Sequence, residues 1–336
     1  MYKRGLIIGK FMPLHIGHEN MFNYAMNLCD ELFIVVLGHD GEPIPLSQRY
    51  KWVKDCDEFK DGLDRVNIIS LHYDPNKLNP SSESDLESAH QWADFLENQI
   101  SCCDVIIGSE EYVKFMAEYK GKHYEIYDEK RNNINISATE IRNNPVEKWG
   151  YLASSVKRDI GIHICICGTE SSGKTTLSRH LEDKYSAVTM IPEIGRCLIS
   201  NAETCNYFNL KTVFNIHKQL LDEVKDNPTT PIMIWDTDNI TTLSYINYLF
   251  GIKEKPAVPI ADNYIFLSRD FDYANDSSRL SEDNADELRK SHIMWYCAEY
   301  GDSIKNFHMI QSNKETKAYL EAIVNSYLAY VRNIFK

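Results

Sequence analysis

Apolar residues along this chain fall into short unbroken runs separated by stretches with helical spacing. Gly5-Leu-Ile-Ile-Gly9, Leu32–Leu37, Val66–Leu71 and Val105–Gly108 read as buried strands, with a shorter one near His123–Tyr127. Between them, His18–Leu28, Ser47–Phe59, Ser88–Ile100 and a segment from Glu110 carry helical periodicity. Runs that do not alternate with polar residues are covered on both faces, and strands alternating with helices build a parallel sheet. Pro145–Ser155 breaks the pattern, after which it resumes. Strands are expected at Ile160–Cys167, Val188–Ile191, Pro231–Trp235, Tyr264–Leu267 and His308–Ile310. Helices are expected after Lys174, beyond Glu193, and over Asn209–Val224, Asp283–Tyr300 and Glu315–Phe335. The fold class is α/β, with two doubly wound parallel-sheet domains at 1–150 and 156–336.

Each half carries a loop suited to phosphate. Strand Ile160–Cys167 runs into Gly168-Thr169-Glu-Ser171-Ser172-Gly173-Lys174-Thr175-Thr176, which is G-x-x-x-x-G-K-[ST] between a strand and a helix. Its glycines let successive N–H groups face a phosphate, Lys174 adds positive charge at the β- and γ-phosphates, and the Thr175 hydroxyl can reach Mg²⁺. In the first half, Gly9-Lys10-Phe11-Met-Pro-Leu-His15-Ile-Gly17-His18 places H-x-G-H between the first strand and first helix. Ligands of open α/β sheets bind at the carboxyl ends of strands, so the position suits a polyphosphate clamp.

Composition changes the picture little. Hydrophobic residues make up 43% and charged residues 25%, an ordinary globular balance. The net charge of −13 opposes sequence-independent nucleic-acid binding, while local N–H groups and a few cations still hold phosphates. No apolar run reaches the length of a membrane helix, and the first strand starts too early for a leader, so neither membrane nor nucleic acid is an expected partner. The nine cysteines form no C-x-x-C pair, which points to reduced thiols in the cytoplasm rather than zinc.

Ser137-Ala-Thr139-Glu-Ile-Arg142 supplies the second half of a pair. With H-x-G-H it resembles the I-S-x-T-x-I-R motif of the adenylyl- and cytidylyltransferase superfamily. An H-x-G-H domain followed by a phosphate-loop domain resembles the NadR family, bifunctional nicotinamide-nucleotide adenylyltransferases and ribosylnicotinamide kinases. The likeness extends to Glu193-Ile-Gly-Arg196 and Asp236-Thr-Asp238-Asn-Ile-Thr-Thr242.

The resemblance implies that the first half is a Rossmann-like adenylyltransferase and the second a P-loop kinase. Nicotinamide riboside, its mononucleotide (NMN), ATP and NAD are the implied ligands, with Mg²⁺ as cofactor. His15, His18, Lys10 and Arg142 would hold the triphosphate. Gly9, Phe11, Gly17, Ser109, Ser137 and Thr139 would line the ATP site, and Arg49 and Trp92 would face NMN. For Trp92 the alternative is core packing beside Phe95 and Leu96.

In the kinase half, Gly168, Thr169, Ser171, Ser172, Gly173, Thr175 and Thr176 would bind ATP, with Lys174 as a catalytic cation. Asp236 would hold Mg²⁺ or act as base, and Asp238 would contact ribose or the metal shell; the two could exchange. Glu193 and Arg196 would meet the riboside and phosphate, or simply pair with each other. Arg279 would close over the transferring phosphate from a lid. Some family members carry an N-terminal helix-turn-helix domain; only Met1–Arg4 precede the first strand here, so no operator binding is expected. Homo-oligomerisation is left open. Competing readings are a nucleotide sensor with little turnover, a fused pair acting on another nucleoside, and a GTPase, the last disfavoured because the DTDNITT segment lacks N-K-x-D.

Overall fold

Strands covered on both faces need a helix between each pair to return the chain, and both halves of the sequence fold that way. The computed structural model describes residues 1–60, 62–78, 85–130, 132–199, 205–268 and 282–336. The chain divides into two compact units, Met1–Asp159 with Val331–Lys336, and Ile160–Tyr330.

The first unit runs β1 (Tyr2–Gly9), α1 (Ile16–Leu28), β2 (Cys29–Gly38), α2 (Leu46–Lys54), β3 (Val66–His72), α3 (Leu86–Phe95), α4 (Glu97–Ser101), β4 (Val105–Gly108), α5 (Tyr112–Lys120), β5 (His123–Ile126) and α6 (Ala138–Asn143). Its five strands lie in the order β3-β2-β1-β4-β5, all parallel. The order reverses between β1 and β4, so the loops after these strands diverge and leave a crevice at their carboxyl ends. Leu6, Val35 and Ile106 pack with Trp92, Leu96 and Met116 on one side of the sheet.

The second unit begins within α7 (Ser154–Ile160) and continues through β6 (Ile162–Gly168), α8 (Lys174–Lys184), β7 (Val188–Ile191), α9 (Ile194–Leu198), α10 (Tyr207–Asp226), β8 (Ile232–Asp236), α11 (Asn239–Phe250), β9 (Asn263–Ser268), α12 (Glu282–Met294), β10 (Phe307–Gln311) and α13 (Lys314–Asn333). The strand order is β10-β9-β6-β8-β7, again all parallel. β8 is buried along its whole length and ends on Asp236. Two five-stranded parallel sheets are the expected fold class.

Several elements differ from expectation. α11 has no counterpart among the expected helices, because Asn239–Ser244 and Ile246 are buried all round and leave no amphipathic stripe to read. α7 occupies part of the segment expected as a break. The helix expected over 47–59 stops at Lys54, and Asp57–Phe59 forms a separate single turn.

Arg49 also departs from expectation. Expected to face NMN, it is 0% exposed and tied into the backbone of its own unit. Its guanidinium donates to the carbonyls of Ile44 (3.1 Å), Lys10 (2.9 Å) and Leu37 (2.8 Å) and pairs with Glu42 at 2.5 Å. Gly38 makes the room, since a Cβ there would lie 2.3 Å from Nη2. Arg49 thus braces the ends of β1 and β2, a structural task. Removing one partner of a buried ion pair leaves the other charge stranded. Arg49→Ala is expected to lower the stability of the first unit by roughly 3 kcal/mol, read as a fall in its urea midpoint; a change below about 1 kcal/mol would deny it that task.

Candidate functional site

Each unit presents a cleft at the carboxyl ends of its strands. In the first unit the site is built on the turn after β1. His15 caps α1: its Nδ1 accepts the Gly17 N–H at 3.1 Å, and the His15 N–H donates to His18 Nδ1 at 3.4 Å. The helix therefore starts at Ile16, two residues earlier than expected. With Nδ1 of each ring accepting a backbone N–H, the neutral tautomer of each carries its proton on Nε2. The two rings stack with centroids 3.7 Å apart. Gly17 lets the His15 ring lie close, since a Cβ there would sit 3.0 Å from it.

The S-x-T-x-x-R segment enters the same cleft from α6. Ser137 and Glu140 form a capping box, with the Ser137 N–H donating to Glu140 Oε2 at 2.8 Å and the Glu140 N–H to Ser137 Oγ at 3.2 Å. Arg142 reaches back 130 residues to the Met12 carbonyl at 2.7 Å and donates to Thr139 Oγ1 at 2.9 Å. Partial burial draws its pKa down from the free value, with Glu42 opposing. A cleft of about 730 Å³ brings together His15, Gly17, His18, Ser109, Ser137 and Thr139. Tyr127 and Asp128 line it too, and neither carries a motif that could have flagged it.

Several expected residues stand elsewhere. Phe11 is 2% exposed and packs edge-on beneath His18 at 5.1 Å and Phe22 at 5.5 Å, so it supports the histidine rather than facing ligand. Gly9 lies against that ring, 2.9 Å from it at its Cβ position. Trp92 is 4% exposed among Tyr73 and Phe95, the core-packing alternative, beside a small apolar recess that Gly9 also lines. Lys10 pairs with Glu42 at 3.0 Å. Burial works against the Lys10 charge, but hydrogen bonds to Tyr73 and Glu42 outweigh it and raise its pKa. Glu42 is itself opposed by burial yet held below the usual carboxylate range by Lys10 and Arg49.

In the second unit the phosphate-binding loop follows β6 as expected. Gly168 (φ 135°) and Gly173 (φ 87°) adopt backbone angles that a side chain would strain, and a Cβ on Gly168 would lie 2.3 Å from the Leu267 carbonyl oxygen. The buried Lys174 ammonium donates to the carbonyls of Gly168 (3.0 Å) and Thr169 (2.9 Å), and Ser172 Oγ donates to the latter at 2.8 Å. Ser171 sits in the left-handed region (φ 58°), and Thr176 is exposed on the first turn of α8.

Thr175 Oγ1 donates to Asp236 Oδ2 at 2.6 Å, while the buried Oδ1 has no hydrogen-bond partner among the described residues. Burial raises the Asp236 pKa, with Thr175 and Lys174 opposing. One carboxylate and one hydroxyl suit Mg²⁺, which keeps most of its shell as water and substrate phosphate.

Asp238 departs from expectation. It is 0% exposed and caps α11, accepting from the N–H groups of Ile240 (3.1 Å) and Thr241 (3.2 Å) and from the hydroxyls of Tyr296 (2.5 Å) and Tyr264 (3.2 Å). Four donors occupy both oxygens, so it holds the helix start and the tyrosines together rather than reaching a ribose or metal. Glu193 and Arg196 pair at 2.6 Å and line a cleft of about 850 Å³ with Glu170, His217, Thr237 and Tyr245. Of these, Glu170 lay within the loop motif itself; His217 and Tyr245 carried no sequence signal. Arg279 lies outside the described residues. No helix among the described residues is long and apolar enough to cross a membrane.

Burial pushes the Asp238 carboxyl up to about 6 against the pull of its donors, from 3.8 when free. The native state therefore holds this proton more tightly than the unfolded chain. The resulting stabilisation is complete below the free value and is lost as pH rises through about 6. Wild type is expected to gain about 1.4 kcal/mol over Asp238→Asn between pH 7.5 and pH 5. Urea unfolding of the second unit at the two pH values measures this, and a constant gap would contradict it.

Comparison with known proteins follows the same division. Residues 163–301 match the AAA domain family. The trifunctional NAD biosynthesis/regulator protein NadR of Salmonella typhimurium is 26% identical over 282 residues, which cover 78% of this chain and 67% of that protein. Its Escherichia coli counterpart is 27% identical over 291 residues at the same coverage. A nicotinamide-nucleotide adenylyltransferase of Thermococcus onnurineus is 24% identical over 147 residues, 44% of this chain and 74% of that one. Among solved structures, a NadR protein in complex with NR aligns over 97% of this chain and 96% of its own at 21% identity and a TM-score of 0.49. The resemblance read from the motifs is borne out: the chain is similar to NadR proteins over most of its length.

Proposed function

From this kinship with the NadR proteins, we propose that the chain is a bifunctional nucleotidyltransferase and kinase of NAD biosynthesis. Its second unit phosphorylates nicotinamide riboside with ATP, giving NMN and ADP. Its first unit joins NMN to the adenylyl group of ATP, giving NAD and pyrophosphate. The observation that carries the reading is the convergence of H-x-G-H with Ser137 and Thr139 on one cleft, Arg142 being bonded to Thr139, in a chain whose other unit has its own phosphate-binding loop and cleft.

In adenylyl transfer, an NMN phosphate oxygen attacks the α-phosphorus of ATP and the bond to pyrophosphate breaks. The nucleophile is already an anion, so the work is positioning and charge stabilisation. His15 and His18 donate from Nε2 to the triphosphate. Arg142 exchanges its Met12 carbonyl partner, and Lys10 its Glu42 partner, for phosphate oxygens. Ser109, Ser137 and Thr139 line the nucleotide.

In phosphoryl transfer, the riboside 5′-hydroxyl attacks the γ-phosphorus. Glu193 in the cleft takes its proton, and ADP leaves. Lys174 gives up two carbonyls for the β- and γ-phosphates. Thr175 and Asp236 would hold Mg²⁺, which when bound neutralises charge on the phosphate oxygens. Arg196 steadies the transferring group. A cytoplasmic location fits this reading, since that compartment supplies ATP and keeps thiols reduced.

Lys174→Ala is expected to lower riboside phosphorylation roughly a hundred- to a thousandfold and leave NAD formation from NMN intact. His18→Ala is expected to do the reverse. Product analysis with Mg-ATP and either the riboside or NMN reads both; nucleotide binding without either product would sink the proposal.

A further inference from the structure

Two polar groups in the second cleft have no task in the transfer just described. Glu170 is the third residue of the phosphate-binding loop, and it lines the acceptor cleft. A carboxylate beside a polyphosphate is repelled by it, so its presence in this loop calls for a different ligand. Its Oε1 accepts from the Tyr245 hydroxyl at 3.0 Å. Tyr245 is itself held: its ring meets the buried His292 ring at 5.0 Å. His292 Nδ1 lies 2.9 Å from Ser244 Oγ, which lies 2.8 Å from Ser291 Oγ. α11 and α12 thus set Tyr245, and Tyr245 sets the carboxylate.

His217 belongs to α10 and lines the same cleft. It is 1% exposed, and its Nε2 is buried with no hydrogen-bond partner among the described residues. Burial lowers its pKa to about 4, with Glu193 opposing, so the ring is neutral at pH 7. A neutral imidazole nitrogen left unsatisfied costs stability, which a ligand hydroxyl would recover.

Geometry says which part of an acceptor meets them. In-line transfer places the acceptor 5′-hydroxyl against the γ-phosphate, and the sugar ring begins one carbon further on. A side chain on the phosphate-binding loop therefore faces the sugar, not the base. Resting on the kinase reading above, we propose that Glu170 and His217 read the sugar hydroxyls of the acceptor, so that this unit selects ribonucleosides with an intact 2′,3′-diol. The carboxylate accepts from hydroxyls, Tyr245 keeps it turned toward them, and the His217 nitrogen completes the contact.

The test compares kcat/KM for nicotinamide riboside and for its 2′-deoxy and 3′-deoxy forms in wild type, Glu170→Gln, Tyr245→Phe and His217→Phe. KM for ATP monitors the integrity of the loop. Sites that bond a substrate hydroxyl reject analogues lacking it, so wild type is expected to prefer the riboside over at least one deoxy form by about 100-fold or more. Glu170→Gln is expected to cut that preference to below about 10-fold through the riboside term alone, with KM for ATP unchanged. Tyr245→Phe should fall between, and His217→Phe should weaken discrimination separately.

Equal use of all three acceptors by wild type would overturn the inference and leave the kinase reading standing. The same holds if the preference survives both Glu170→Gln and His217→Phe. Failure of wild type to phosphorylate any of the three would overturn the kinase reading, and this inference with it.

Discussion

Parallel pairing is the constraint on which both units depend. Every strand in each sheet runs the same way, so every strand end with a following loop opens on one edge. That edge collects residues far apart in sequence: His15 with Thr139 in the first unit, Glu170 with Tyr245 in the second. The helices covering the sheets pay for this arrangement by burying both faces, as the unbroken apolar runs required. Function then needs few side chains, because backbone direction has already done the gathering.

A common electrostatic device appears in both clefts. Lys174 is held by the carbonyls of Gly168 and Thr169, Arg142 by the carbonyl of Met12 and the Thr139 hydroxyl. Neutral partners hold a cation in place at modest strength, whereas a phosphate oxygen offers a full charge. Lys10 is the exception, since its partner Glu42 is anionic and shared with Arg49. Binding of an anion in a chain of net charge −13 is thereby a local matter, decided by a few poised groups.

Much of this is legible in the sequence. The phosphate-binding loop and H-x-G-H lie on contiguous residues whose spacing is itself the geometry, and the strands declared themselves as apolar runs. Residues whose role depends on distant partners were read less well. Arg49 stands at a helix start that resembles one facing the substrate; three carbonyls and Glu42 make it interior instead. Asp238 followed an apolar strand as a site carboxylate would, but Tyr264 and Tyr296, remote in sequence, claim it. His217 sits on the buried stripe of α10, where it reads as core, and Tyr245 on a helix whose first half is buried all round. Such assignments need the fold, since no local pattern encodes a partner dozens of residues away.

The contact between Gly168 and Leu267 ties two strands into one unit of inheritance. Gly168 is the last residue of β6 and pairs in register with Leu267 of β9. Because its missing Cβ would collide with the neighbouring carbonyl, no replacement on β9 can relieve the clash: the offending atom is main chain, common to all residues. Compensating mutation, the usual route by which packed positions drift, is therefore closed here. Either the loop keeps glycine, or the sheet must part at its centre.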